Sequence, residues 1–520
     1  MKNFFASMIK KVNMGWRKTA FAFVLAALLL YAPSCNLDVL PSDAISDASL
    51  ASSPDGLENV LNGCYALFKD RLSFNGTTDD NNNYLRQYFQ MSDFAADDIV
   101  CSQVTEDPFF YSFTYTHSTD QTNARYIWYI SYKIIEGANA VIQIGEGLSD
   151  PDETIQQYIG EAYFLRAFAH FNLARLFAEP YSIDPAASGV ILRLSNDEPG
   201  VKARSTVQET YDQVVADLLT ASDLMSINRG VEYATKQAAL ALLSRVYLYM
   251  ENNQAAADYA TQVIDDGSFA MTSGDSYKAM FANTLTSTET IFCIALTEVD
   301  NAGKFGSIAS MLYSDGNSGW GEEFASSSYR DVLGEHPEDI RWNYILPLDD
   351  GYGGIATKNG IETYYITKFS FQDGDPNLAS PMMLRLSEMY LNRAEANAKL
   401  GNDAQALSDV DVIRMNRGLE NSLYNGVVPG GSTALDVVLK ERRLELAFEG
   451  HRKFDLLRNK MTLDRTYWGY HIPGITETDI DLANPPIGYP NTIIEYTDPR
   501  NIYYIPVDEI LANNLCVQNP

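Results

Sequence analysis

Three glutamates, Glu441, Glu445 and Glu449, recur at four-residue spacing in KERRLELAFEGHRKFDLLR, residues 440–458. Two carboxylates facing one cleft are the acid and base of a glycosidase. Four-residue spacing also sets all three on one helix face, where carboxylates pair with cations. The same stretch carries Arg442, Arg443, Arg452 and Arg458, so ion pairing is the reading adopted. A second kind of chemistry needs no charge. Flat aromatic rings stack on the C–H faces of pyranoses while amides, carboxylates and guanidiniums bind the hydroxyls, and a ring supplies contact area with little conformational entropy to lose. Trp320 stands in LYSDGNSGWGEEF, residues 312–324, a loop where nothing helical would bury it, with Tyr313 close by. Phe109, Phe110 and Tyr111 follow Asp97-Asp98-Ile99-Val100 and read as a second aromatic loop. Asn317, Asp315, Gln103 and Glu106 are the polar partners expected beside them.

Other chemistry finds little support. His117, His170, His336, His451 and His471 form no pair with another His or Cys at ligand spacing, and His170 sits in an apolar helical pattern that reads as core. GYGG at 351–354 reads as a turn. DDNNN at 79–83 offers hard oxygens but lacks a full calcium-loop spacing, so neither metal nor cofactor is assigned. No nucleophile elbow, phosphate loop or dinucleotide fingerprint occurs. Cys64, Cys101, Cys293 and Cys516 are scattered, and a chain of 520 residues needs no disulfide staples; they read as buried thiols.

The elements that must position these residues begin with an address. Residues 1–18 are basic and acid-free, residues 19–32 are apolar, and Pro33-Ser34-Cys35 follows. This is an export signal, its apolar run shorter than the ~20 residues of a membrane span. Removing residues 1–34 with their five basic side chains takes the net charge from −30 to −35. Such a body repels phosphate backbones, which excludes nucleic acid, and disfavours polyanionic sugars unless a local basic site exists. Ser53-Pro54 reads as a helix start. Residues 155–178, 234–250 and 383–400 are helices apolar on more than one side, hence packed between neighbours; the Trp128, Tyr129 and Tyr132 helix likewise reads as core, as does Trp342. Residues 242–264 and 386–413 look alike: a helix, a short polar turn, then an Ala-rich helix, with Gly401 as C-cap, Asp403 as N-cap, and Ala255, Ala256, Ala404 and Ala406 permitting close approach. They are similar to tetratricopeptide pairs. Residues 69–125 and 266–380 read as long loops with short β runs such as 290–296, and loops this long inside a compact protein usually carry function.

Several ordered motifs together resemble the SusD/RagB family. Glu441, Arg442, Glu445, Glu449, Gly450, Arg452, Asp455 and Arg458 match its hallmark; LRLSEMYLNRAEANAKLG at 384–401, IWYISYKIIEGANAVI at 127–142, MSDFAADDIV at 91–100, GEAYFLRAFAHFNLARLFAEP at 160–180 and LDVLPSD behind Cys35 look like its other segments. Cys35 after small Ser34 resembles a lipobox, although Ala32 and Pro33 depart from its usual pattern; this implies acylation at Cys35, whose several chains hold more firmly than one. The resemblance implies a mainly α fold, tetratricopeptide-like helix pairs scaffolding a loop-rich ligand face with short β segments, in an N-terminal region 35–280 and a C-terminal region 281–520. It implies a non-enzymatic lipoprotein on the outer-membrane surface that binds oligosaccharide for a SusC-like TonB-dependent transporter, with Trp320, Tyr313, Asn317, Phe109, Phe110 and Tyr111 as expected contacts. A peptide-binding member of the same family and a glycoside hydrolase are the rival readings.

Overall fold

The structure, a computed structural model, describes residues 54–74, 83–102, 107–465 and 493–520. The export signal, Cys35, Gln103, Glu106, His471 and all of DDNNN but Asn83 lie outside them. Helices begin where the sequence supplies caps. α1 (Pro54–Ala66) starts on its proline. Asn83 accepts the Arg86 N–H at 3.3 Å to open α2 (Tyr84–Met91). Asp107 followed by Pro108 opens α3 (Pro108–Thr114). α4 (Thr122–Glu146) and α5 (Glu153–Phe177) follow, the latter capped by Asp152. α5 is roughly 38 Å long at 1.5 Å per residue and buried on all sides between α4 and α6 (Val207–Leu224).

From α6 each helix packs on the next: α7 (Lys236–Tyr249), α8 (Asn253–Asp266), then α9 (Leu386–Lys399), α10 (Asp403–Asn416) and α11 (Ala434–Glu445), before the short α12 (Arg452–Arg458). The two look-alike segments are therefore the stacked pairs α7/α8 and α9/α10, brought together although the whole 266–380 region intervenes. Their turns match. After α9, Gly401 at φ +80° lets Asn402 N–H reach Asn397 O (2.8 Å) and Gly401 N–H reach Ala398 O (3.2 Å), a Schellman closure. After α7, Glu251 at φ +57° holds the glycine's place, with Asn252 N–H to Tyr247 O (2.9 Å). Asn402 rather than Asp403 is the N-cap of α10; Asp403 is its first helical residue. Ala256 and Ala406 are buried at the seams as expected, but Ala255 is half-buried and Ala404 exposed, because only one side of each second helix meets its neighbours.

The 69–125 region is more regular than its composition predicts, holding α2, α3 and strand β1 (Ile99–Cys101). Strands in the described residues form two-stranded antiparallel ladders: β1 with β3 (Glu323–Ala325), β2 (Thr290–Cys293) with β8 (Met382–Arg385), β4 (Ile345–Pro347) with β7 (Tyr364–Ile366), and the hairpin β5 (Thr357–Lys358) with β6 (Ile361–Glu362) among them. The β-like run ends at Cys293 rather than Leu296. Cys64, Cys101, Cys293 and Cys516 are free and buried, and burial pushes the Cys64 thiol up to about 12. Among the described residues no helix is long and apolar enough to cross a membrane, and no group of three or more His, Cys, Asp or Glu could hold a metal ion.

Candidate ligand-binding site

The hallmark segment forms α11, a turn and α12, and its three glutamates are engaged far from their sequence neighbours. Glu441 receives Arg341 at 2.7 Å and Arg414 at 3.1 Å; Glu445 receives Arg385 and Arg417, each at 2.7 Å; Glu449 receives Lys368 and Arg385, each at 2.7 Å. Burial alone would raise Glu445, but the guanidiniums of Arg417 and Arg385 outweigh it and hold the carboxyl well below the usual carboxylate range. All three acids are buried, so none can meet a sugar or a hydrolytic water. The expectation of ion pairs holds; the expected partners do not. Arg442 pairs with Asp455 (2.8 Å), Arg443 with Asp98 (2.7 Å), Arg452 with Asp97 (2.7 Å), and Arg458 with Glu395 and Asp455. The reason is burial: three neighbouring carboxylates facing inward require cations from other elements, while the arginines beside them serve acids of the MSDFAADDIV segment, of α9 and, through Asp455, of α12 itself. Asp93 completes the clamp, accepting Gly450 N–H at 2.5 Å and Arg452 N–H at 2.7 Å.

That clamp fixes the strand leaving Asp98. Ser326 N–H bonds Asp98 O at 2.9 Å, β1 pairs with β3 from Ile99↔Ala325 to Cys101↔Glu323, and Ser102 N–H bonds Glu322 O at 2.7 Å. Trp320 stands immediately before this anchored ladder. Its N–H bonds Ser310 O at 2.5 Å, and the Lys358 ammonium donates to its carbonyl at 3.1 Å. Gly319 sits at φ +73°, where an added Cβ would lie 2.2 Å from Tyr313 O, so the loop closes on itself only with glycine there. The result is an indole held by backbone yet 43% exposed. Phe305, 50% exposed, meets it edge-on with ring centroids 5.4 Å apart, and Lys304 Nζ lies 5.1 Å from the indole centroid.

Tyr313, half-buried on the same loop, packs between Tyr365 (5.5 Å) and Phe371 (5.2 Å). Phe371 is exposed at φ +75°. A bulky residue in that region stores on the order of 1–3 kcal/mol of strain, and such strain gathers at ligand-contacting segments. Asn317 is exposed, its N–H donated to Asp315 Oδ1 at 2.9 Å. Asp315 also accepts from Ser318, and these bonds hold its carboxyl down at about 2. Trp320, Tyr313, Asn317 and Asp315 thus share one loop.

Phe109 and Phe110 do not join them. They lie on α3 rather than in a loop; Phe109 is fully buried and Phe110 is 8% exposed, both within the main core. Tyr111 is half-buried on the same helix. Asp107-Pro108, an N-cap followed by a first-turn proline, is the signal that marks this helix. Phe305, Phe371 and Lys304 carried no comparable sequence signal, because each is defined only by the ring it faces. His170 is a core residue as expected: burial pulls it down to about 3, and neutral Nε2 accepts Arg193 N–H at 3.4 Å. Trp128 is also core. Tyr129 and Tyr132 are half-buried and, with Trp128, line a cleft of about 320 Å³ against Pro506–Ala512. Its Arg125 and Asp508 satisfy each other at 2.6 Å, whereas the Trp320 loop presents an exposed ring, so the loop is the better ligand candidate.

An array of stacked helix pairs carrying an aromatic loop face defines a binding scaffold. Residues 37–248 match a family model described as starch-binding associating with outer membrane, and residues 317–520 match the SusD family model. The chain belongs to the SusD/RagB family, whose members are outer-membrane-associated binding proteins. It is 24% identical to SusD-like protein P38 of Formosa agariphila over 507 residues, covering 87% of this chain and 96% of that one. A SusD superfamily protein of Bacteroides thetaiotaomicron superposes with TM-score 0.76 at 29% identity, covering 90% of this chain and all of the other. A SusD-like carbohydrate binding protein of Bacteroides vulgatus superposes with TM-score 0.72 at 21% identity, over 89% and 97% of the two chains, a likeness of fold.

Proposed function

We propose that this protein is a non-enzymatic, cell-surface oligosaccharide-binding lipoprotein, anchored through acylated Cys35, that delivers its ligand to a SusC-like TonB-dependent transporter of the outer membrane. The observation that carries the glycan reading is Trp320: a half-exposed indole on a backbone-fixed loop, flanked by Phe305. A preformed ring binds a pyranose face without an ordering cost, and exposed Asn317 on the same loop offers its amide to hydroxyls. The starch-binding description of the matching family model supports the same reading. Delivery to the transporter and the anchor rest on family membership and on the sequence around Cys35.

Calorimetric titration of an oligosaccharide panel tests this. A member of the panel should bind, and Trp320→Ala should weaken it at least tenfold, about 1.4 kcal/mol. Binding of a peptide pool with no glycan bound would favour the peptide-handling branch. Release of reducing ends by the pure protein would restore the hydrolase reading, which the burial of Glu441, Glu445 and Glu449 disfavours.

A further inference from the structure

The acidity of this chain argues against charged glycans unless a basic site stands where the ligand binds, and two ammonium groups stand beside Trp320. Lys304 Nζ lies over the indole, 5.1 Å from its centroid, and Lys304 forms no ion pair with any described residue. Some surface lysines do pair with acids, Lys202 with Glu198 at 2.6 Å, Lys278 with Asp275 at 3.3 Å, and Lys440 with Glu335; the Lys304 ammonium instead rests on the indole. Lys358 donates to Trp320 O and Gly321 O at 3.1 Å each, and its nearest carboxylate, Glu322, is at 3.7 Å.

Some of the loop carboxylates are engaged by other groups. Asp300 is held by Lys69 at 3.0 Å and by Thr297 N–H at 2.8 Å, and Asp375 receives Asn301 at 2.7 Å. Asp315 accepts two backbone N–H groups but is exposed and opposes an approaching anion. Exposed Asp373 does the same beside Phe371. The two ammonium groups at Trp320 mark the Phe305–Trp320 pair as the place where an anionic group would be met. An ammonium resting on an aromatic ring keeps its N–H donors, and Lys offers a compact point charge suited to a single carboxylate or sulfate oxygen.

Resting on the reading of Trp320 as the glycan platform, we propose that this site is selective for oligosaccharides bearing an anionic substituent, a uronate carboxylate or a sulfate ester, with Lys304 as the residue that determines that selectivity and Lys358, held by the Trp320 and Gly321 carbonyls, supporting it. Trp320 supplies sugar-face contact common to charged and neutral glycans; Lys304 discriminates between them.

The test is calorimetric titration at fixed ionic strength with oligosaccharides of matched length in three arms: neutral, uronate-containing and sulfated. The wild-type chain should bind at least one anionic arm tenfold or more tighter than the neutral arm, and which anionic arm wins separates carboxylate from sulfate. Lys304→Gln should cut the ratio of anionic to neutral affinity at least tenfold, and Lys304→Arg should retain that ratio. Trp320→Ala should weaken charged and neutral arms alike. Trp320-dependent binding without anionic preference, or a preference that survives Lys304→Gln, overturns the selectivity inference alone. Failure of every glycan to bind overturns the platform reading and this inference with it.

Discussion

Glu445 accepts from Arg385 and Arg417 with no part of it open to solvent, and Arg385 bridges onward to Glu449 and, at 3.3 Å, to Glu289. Removing one charge from such a network leaves cations buried without a counter-charge, which costs about 3–5 kcal/mol. Glu445→Gln should lose stability of that size in urea unfolding; a loss under 1 kcal/mol would show the network to be dispensable. Glu323 is the opposite case. It is fully buried on β3, three residues beyond Trp320, and neither carboxylate oxygen has a hydrogen-bond partner. Burial pushes its carboxyl well above the usual range, Asp107 and Glu322 add to the rise, and Arg86 and Arg465 oppose it. The folded state then holds the proton more tightly than the unfolded one, so Glu323 contributes stability at low pH that fades as pH climbs beyond the unfolded glutamate value of about 4.3. Asp93, raised to about 7 chiefly by burial, acts with the same sign. Glu323→Gln removes only the first contribution, so unfolding midpoints should show the variant gaining on wild type between pH 4.5 and pH 8. A pH-independent difference would refute the assignment.

At the scale of elements, the paired turns after α7 and α9 need a left-handed residue, and only one of them has glycine. A side chain in that conformation costs roughly 1–2 kcal/mol, partly offset by the entropy glycine gains in the unfolded chain. Glu251→Gly should therefore raise stability by about 0.5–1 kcal/mol, while Gly401→Ala should lower it by about 1–2 kcal/mol; thermal unfolding of the two variants checks the pair. Helix α3 sets a different test. Phe109→Ala empties core volume and should cost about 3–5 kcal/mol while leaving glycan affinity within twofold of wild type at a temperature where both are folded. A large affinity loss in a stably folded Phe109→Ala would return α3 to the ligand face.

For the molecule as a whole, a clamp from Asp93, Asp97 and Asp98 to Arg443, Gly450 and Arg452 ties the MSDFAADDIV segment near the start of the described chain to the hallmark near its end, and the Trp320 loop stands next to the strand that leaves it. The sequence by itself determined the helical class, the look-alike pairs, the family and the exposure of Trp320, because apolar periodicity, cap residues and a Gly/Ser/Asn loop are local signals that survive without a fold. It placed the hallmark acids in ion pairs but named the wrong partners, since a buried carboxylate takes its cation from whatever element packs against it. It set Phe109 and Phe110 on the ligand face by nearness to a loop, although Asp107-Pro108 announced a helix. Tertiary structure alone decided that α8 meets α9, that β1 meets β3, and that Phe305, Phe371 and Lys304 face the rings of the Trp320 loop. Those contacts join residues far apart in the chain, and no local propensity encodes which distant neighbour a side chain will touch.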